Sequence, residues 1–149
     1  MSNTPASAMS ATVATGGSQA VESSIPSSVM SKNGQDAEVK ELRSDDGQFS
    51  FVVSKDGSLF LYTEDAAIWA IYTFSQCSPR PDDDAKLVVK SDGNLVVVHK
   101  TRGVVWSTES ANGAPGPFRL VLQNDGDCVL FNGNGGVQWA TRTSGWGQP

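Results

Sequence analysis

From Gly47 onward the chain alternates short apolar runs with Asp-Gly, Asn-Gly and Gly-Gly pairs. That rhythm predicts strands joined by tight turns, and no sustained 3.6-residue period argues for a helix. The stretch Phe118 to Thr143 shows the pattern best. Leu120 and Leu122 lie two apart, and Gln123, Asp125, Asp127, Val129 and Phe131 follow at every second residue. On a strand, residues two apart share a face. This spacing places those five side chains in one row, with Cys128 and Leu130 pointing the other way. Asn124 to Asp127 reads as a turn, and a Gly-rich break from Asn132 to Gly136 leads to a second strand carrying Trp139.

The unit recurs upstream. Lys86 to Ser107 and Ser50 to Ala70 have the same layout, and aligning Asp56, Asp92 and Asp125 brings Trp69, Trp106 and Trp139 into register. The Asp-to-Trp separations are 13, 14 and 14 residues, and successive Asp residues lie 36 and 33 apart. Three copies of an Asp-Gly turn and a phased Trp define an internal repeat. One copy cannot bury its own Trp. Three copies around a common axis can set the indoles against one another, each contributing roughly 150–250 Å² of burial. The expectation is an all-β, pseudo-threefold domain over residues 36–149, with repeats at about 48–76, 85–110 and 117–143.

Residues 1–35 are rich in Ser, Ala, Thr and Gly without apolar periodicity, which predicts a flexible tail; a part near Val29 to Ser31 is placed to add an edge strand. Ala37 to Ser44 reads equally as a short helix or as a first strand with Val39 and Leu42 inward, and the neighbouring strands favour the latter. Ser78 to Asp84 and Asn112 to Pro117 are expected to be loops, and Ser144 to Pro149 a short end with Trp146.

Composition narrows the function. Formal net charge is −5 and no Lys/Arg cluster occurs, so nucleic acid and anionic membranes are poor partners. No apolar run approaches the roughly 18 residues of a membrane span, so no membrane insertion is expected. The N-terminus has neither a basic n-region nor an apolar h-region, which predicts a cytoplasmic or non-classically secreted protein. Cys77 and Cys128 define no disulfide framework, and Cys128 on the inward face reads as a small apolar residue. The single histidine, His99, beside Lys100, reads as a surface residue at a strand end with no nucleophile nearby, so no enzyme is expected. Asp125-Gly126-Asp127 and Asp82-Asp83-Asp84 lack the terminal Glu of a calcium loop, so no metal site is expected either.

The repeat resembles that of the bulb-type, monocot mannose-binding lectins. The likeness spans about 110 residues and all three copies, Trp spacing included. It implies a β-prism II: three four-stranded sheets around a pseudo-threefold axis, with no cofactor and no metal. It also implies a sugar motif Gln-x-Asp-x-Asn-x-Val-x-Tyr in each repeat, mannose-containing glycans as partners, and a homodimer by C-terminal strand exchange in which Trp146 helps seal the interface. In that motif the polar side chains hydrogen-bond sugar hydroxyls, the Val packs on sugar carbons and the Tyr hydroxyl adds a bond. Shallow sites of this kind are weak singly and gain from multivalency.

Every copy departs from the motif. The third keeps Gln123, Asp125 and Val129, with Asp127 and Phe131 in place of Asn and Tyr. The second keeps Asp92, Asn94 and Val96, with Lys90 and Val98 in place of Gln and Tyr. The first keeps Asp56 and Tyr62, with Ser54, Ser58 and Phe60 at the remaining positions. Asp alone survives three times, and an Asp before Gly is also what a strand-linking turn selects on its own. Two readings follow. The first is a lectin of the mannose-binding type with diverged sites, working by weak multivalent contact through the third and second copies above all. The second is a degenerate prism serving protein–protein interaction or defence without sugar.

Overall fold

A computed structural model describes residues 25–64, 66–73, 81 and 83–146. The upstream part of the expected tail, most of the 78–84 loop, Cys77 and the last three positions lie outside these residues. Twelve strands form three four-stranded antiparallel sheets, and no helix occurs among the described residues. The three repeats supply β4 (Phe49–Val53), β5 (Leu59–Thr63) and β6 (Ala67–Ile71); β7 (Ala85–Val89), β8 (Leu95–His99) and β9 (Gly103–Ser107); and β10 (Arg119–Leu122), β11 (Cys128–Phe131) and β12 (Val137–Ala140). Alternation is clearest in the first repeat. In β4, Phe49, Phe51 and Val53 are buried while Ser50 and Val52 face outward.

The fourth strand of every sheet comes from one upstream stretch. β1 (Ser28–Met30) pairs with β10, β2 (Ala37–Val39) with β7, and β3 (Glu41–Arg43) with β4. Residues 37–43 are therefore strand, broken at Lys40 and split between two sheets. The fold also takes in residues upstream of position 36, earlier than the shift in composition suggests.

The innermost side chains are Phe49, Phe51, Phe118 and a set of leucines that includes Leu42, Leu61, Leu87, Leu120 and Leu130. The tryptophans meet as expected. The Trp139 ring lies 6.1 Å from Trp69 and 5.6 Å from Trp106, both edge-to-face. They are only partly buried, because β6, β9 and β12 are each the outer strand of their sheet. Cys128 is a free thiol in the core, and burial pushes its pKa well up.

The repeats interlock cyclically through the turn glycines. A Cβ on Gly57 would stand 2.9 Å from Val105 of the second repeat, one on Gly93 3.0 Å from Phe118 of the third, and one on Gly126 2.9 Å from Phe49 of the first. Each of these glycines also has positive φ, so the Asp-Gly signature is fixed twice, by backbone conformation and by close approach.

Candidate functional site

The motif positions do not form one continuous strand row. Residues 123–127 are a turn between β10 and β11, closed by Gln123 N–H to the Asp127 carbonyl and Gly126 N–H to the Gln123 carbonyl. Only Val129 and Phe131 lie on β11 itself. The other two copies repeat this arrangement, and a β-bulge falls at the last motif position in all three, between Leu61 and Tyr62, Val97 and Val98, and Leu130 and Phe131. A bulge re-aims the side chain it carries.

The shared Asp is a turn residue. Oδ1 of Asp56, Asp92 and Asp125 accepts from the backbone N–H two residues on, at 2.9 Å in each copy. This leaves Oδ2 to distinguish the copies. That of Asp125 accepts from Ser144 Oγ at 3.2 Å, and the Asp125 carbonyl also takes Gly145 N–H. The chain's C-terminal end thus folds onto the third copy. Burial opposes ionisation of Asp56, yet hydrogen bonds from the Ser54 hydroxyl and Ser58 N–H outweigh it and hold the carboxyl below the ordinary range.

The motif's Asn position is a latch to the segment that follows the Trp-bearing strand. Asn94 Oδ1 accepts from Leu95 N–H, Ser107 Oγ, Thr108 Oγ1 at 3.0 Å and Ser110 N–H. Asp127 Oδ1 accepts from Thr141 Oγ1 at 3.0 Å and from Arg142 and Thr143 N–H. A second hydroxyl extends each ladder: Thr108 to Ser110 and on to the Gly93 carbonyl, Thr141 to Thr143 and on to the Gly126 carbonyl. In the first copy Ser58 is fully buried, and Ile71 stands where the other copies carry Thr108 and Thr141, so the first hydroxyl of the ladder is missing. Ser58 Oγ accepts only Thr73 N–H, and Thr73 Oγ1 is buried without a partner among the described residues. The Thr-x-Ser/Thr pair two residues after Trp106 and Trp139, with Ile71 and Thr73 at the matching positions after Trp69, carried this signal in the sequence.

The outward groups differ accordingly. Asn94 keeps its Nδ2 donor unengaged among the described residues, and Asp92, two residues before it, keeps its Oδ2 unengaged as well. At Asp127 the corresponding atom is a carboxylate oxygen that can only accept. Lys90, at the Gln position, lies 3.4 Å from Asp36, whose carboxyl is held low by Ser91 N–H first and Lys90 second. Val96 and Val129 are buried at the floor of their copies, and Phe131 is covered by the Arg119 guanidinium at 5.5 Å. In the first copy Phe60 and Tyr62 stack at 5.7 Å, and Tyr72, outside the motif, meets Phe60 edge-on at 5.6 Å.

His99 corrects the surface reading. It is 2% exposed, with Nε2 2.8 Å from Asp83 Oδ1, and its Nδ1 accepts from Thr101 and Arg102 N–H. Those donors fix the tautomer with the proton on Nε2. His99 is the inward residue at the end of β8, as the alternation Leu95, Val97, His99 dictates, and a buried carboxylate satisfies it. It braces the second repeat.

Comparison with solved structures gives the fold its family likeness. A lectin from Marasmius oreades superposes with a TM-score of 0.63 at 25% identity, covering 81% of this chain and 94% of its own. A monomeric monocot mannose-binding lectin from Gastrodia elata gives 0.64 at 24% identity, covering 79% and 98%. The mannose-specific agglutinin of snowdrop (Galanthus nivalis) bulbs, complexed with methyl-α-D-mannoside, gives 0.57 at 29% identity, covering 78% and 96%. No family model and no curated protein sequence matches the chain. The three sheets are those of a β-prism II lectin. More specifically, the fold is similar to the bulb-type lectin domains of these neighbours.

Proposed function

We propose that the domain binds glycans of the mannose-containing type, with the second copy as its working motif site. One observation carries this reading: among the described residues the Asn94 Nδ2 donor and the Oδ2 acceptor of Asp92, the shared motif Asp, are both unengaged, in the turn that leads to the buried Val96, whereas the third copy's Asp125 Oδ2 is taken by Ser144. A hydroxyl pair on a sugar needs both kinds of group. The snowdrop agglutinin, described as mannose-specific, supports mannosides as the first ligand to test. Gln123, Asp125, Asp127, Val129 and Phe131 then serve as an auxiliary site at most, since Ser144 and Arg119 already occupy part of that surface.

The decisive variant is Asn94→Asp. The new carboxylate retains the Oδ1 latch, as Asp127 does in the third copy, but loses the outward donor. Calorimetry with methyl α-mannoside should show affinity falling about tenfold, with an unchanged urea midpoint. A folded wild-type protein that binds no mannoside would sink the reading. A module that binds protein instead of sugar, favoured by the engaged third copy, would then lead.

A homodimer through the C-terminal end belongs to the same proposal. Each sheet already has four strands from one chain, so exchange would have to displace an intrachain strand, with Trp146, 47% exposed, at the contact. Light scattering at micromolar concentration gives the mass directly, and a monomer would remove this part.

A further inference from the structure

The first repeat departs from the other two in a way that the sugar motif does not explain. Where the second and third copies set a buried Val, the first sets Phe60, with Tyr62 beside it and Tyr72 against it from just beyond β6. Phe60 and Tyr62 lie within 24° of parallel, and Tyr72 stands at 83° to Phe60. Tyr62 is 36% exposed and Tyr72 69%, two of the five exposed large apolar side chains among the described residues. A shallow depression lined by Glu41, Ser50, Val52 and Tyr62 borders the Tyr62 end of the cluster, and Asp56, in the β4–β5 turn at the other end of β5, has an unengaged Oδ2. A solvated aromatic cluster rimmed by a few polar groups marks a ligand surface rather than a core.

Phe60 fills the space over which a motif Val would seat a sugar, so the copy cannot work as a hydrogen-bonding cleft. Rings instead offer a face or edge to C–H groups. The sugar's stereochemistry then selects the ligand. An α-mannoside carries axial O1 on one ring face and axial O2 on the other, which interrupts both. A β-glucoside has no axial oxygen, and a β-galactoside has only O4, so each keeps at least one unbroken C–H face.

We infer that Phe60, Tyr62 and Tyr72 form a second carbohydrate site, of stacking type, for β-linked glucosides or galactosides. It rests on the lectin reading above but uses different residues and a different ligand class. A chain with both sites would hold mixed glycans at two faces of the prism.

The test is calorimetry on the full chain with methyl β-glucoside, methyl β-galactoside and methyl α-mannoside. Phe60→Val restores the residue that the other repeats carry, and Tyr72→Ser alters an exposed position, so at least one variant stays folded; urea midpoints verify this. The expected result is β-glycoside binding that weakens about tenfold in either variant and is indifferent to Asn94→Asp. Absence of β-glycoside binding, or binding that neither ring variant changes, overturns the stacking site. Mannoside binding sensitive to Asn94→Asp in that case leaves the lectin reading standing, whereas failure of all three sugars removes both.

Discussion

Gly126 of the third repeat lies against the ring of Phe49 in the first, so closely that a methyl group on Gly126 would stand 2.9 Å from Phe49 Cε1 and Cζ. The contact closes a cycle, because Gly57 and Gly93 make the corresponding approaches to Val105 and Phe118. The turn that displays the motif Asp is thus also the joint between neighbouring sheets.

Gly126→Ala should therefore cost about 2–4 kcal/mol, summing a left-handed backbone penalty and a clash with a buried ring. Gly135→Ala is the control. Gly135 has a similar φ of 83° with nothing within 4 Å of the added carbon, so it should cost only about 1–2 kcal/mol. Urea midpoints compare the two, and equal losses would mean that the joint contributes nothing.

Three threonines in the segments after the tryptophans should respond oppositely to Val. Thr108→Val and Thr141→Val break ladders that satisfy Asn94 and Asp127, at about 1–3 kcal/mol each. Thr73→Val removes a buried hydroxyl that has no partner among the described residues and should be neutral or stabilising by up to about 1 kcal/mol. Chemical denaturation of the three variants decides this. A destabilised Thr73→Val would show that its hydroxyl is satisfied after all.

Acid should weaken the fold through Asp56. Its pKa is depressed in the folded state, so its contribution is fully present above the unfolded value of about 3.9 and is lost as pH falls through the folded one. The urea midpoint should hold from pH 7 to about 5 and drop below about 4. Asp56→Asn keeps an Oδ1 acceptor for Ser58 N–H but cannot titrate, so it should flatten part of that drop. An unchanged acid limb would assign the loss to other carboxylates, such as Asp36.

How far the sequence carried the fold depended on side-chain pattern. Five-residue strands with two or three inward apolar positions, phased by Asp-Gly and Trp, were plain. The edge strands were not, since three residues such as Ser28–Met30 or Glu41–Arg43 contain too little alternation to show which sheet they join. At the site, the spacing of Asp92, Asn94 and Val96 was legible, but which atom of each side chain is already engaged was not. Asn94 and Asp127 differ by one atom in sequence terms, yet their shared latch turns that difference outward. His99 was misread because its partner, Asp83, comes from a loop 16 residues away with no pattern of its own. Tyr72 was missed because it falls beyond the motif, although alternation from Ala70 already put it on the outer face.

The three upstream edge strands have a consequence for synthesis. Ser28 pairs with Val121, 93 positions later, so the first of the described strands to leave the ribosome waits for the last repeat before it finds its neighbour. Pairing over such a span is slow, and no sheet can be completed by its own repeat alone. The repeats are copies in sequence, but they should fold as one cooperative body, and a single repeat cut from the chain should not stand as a module.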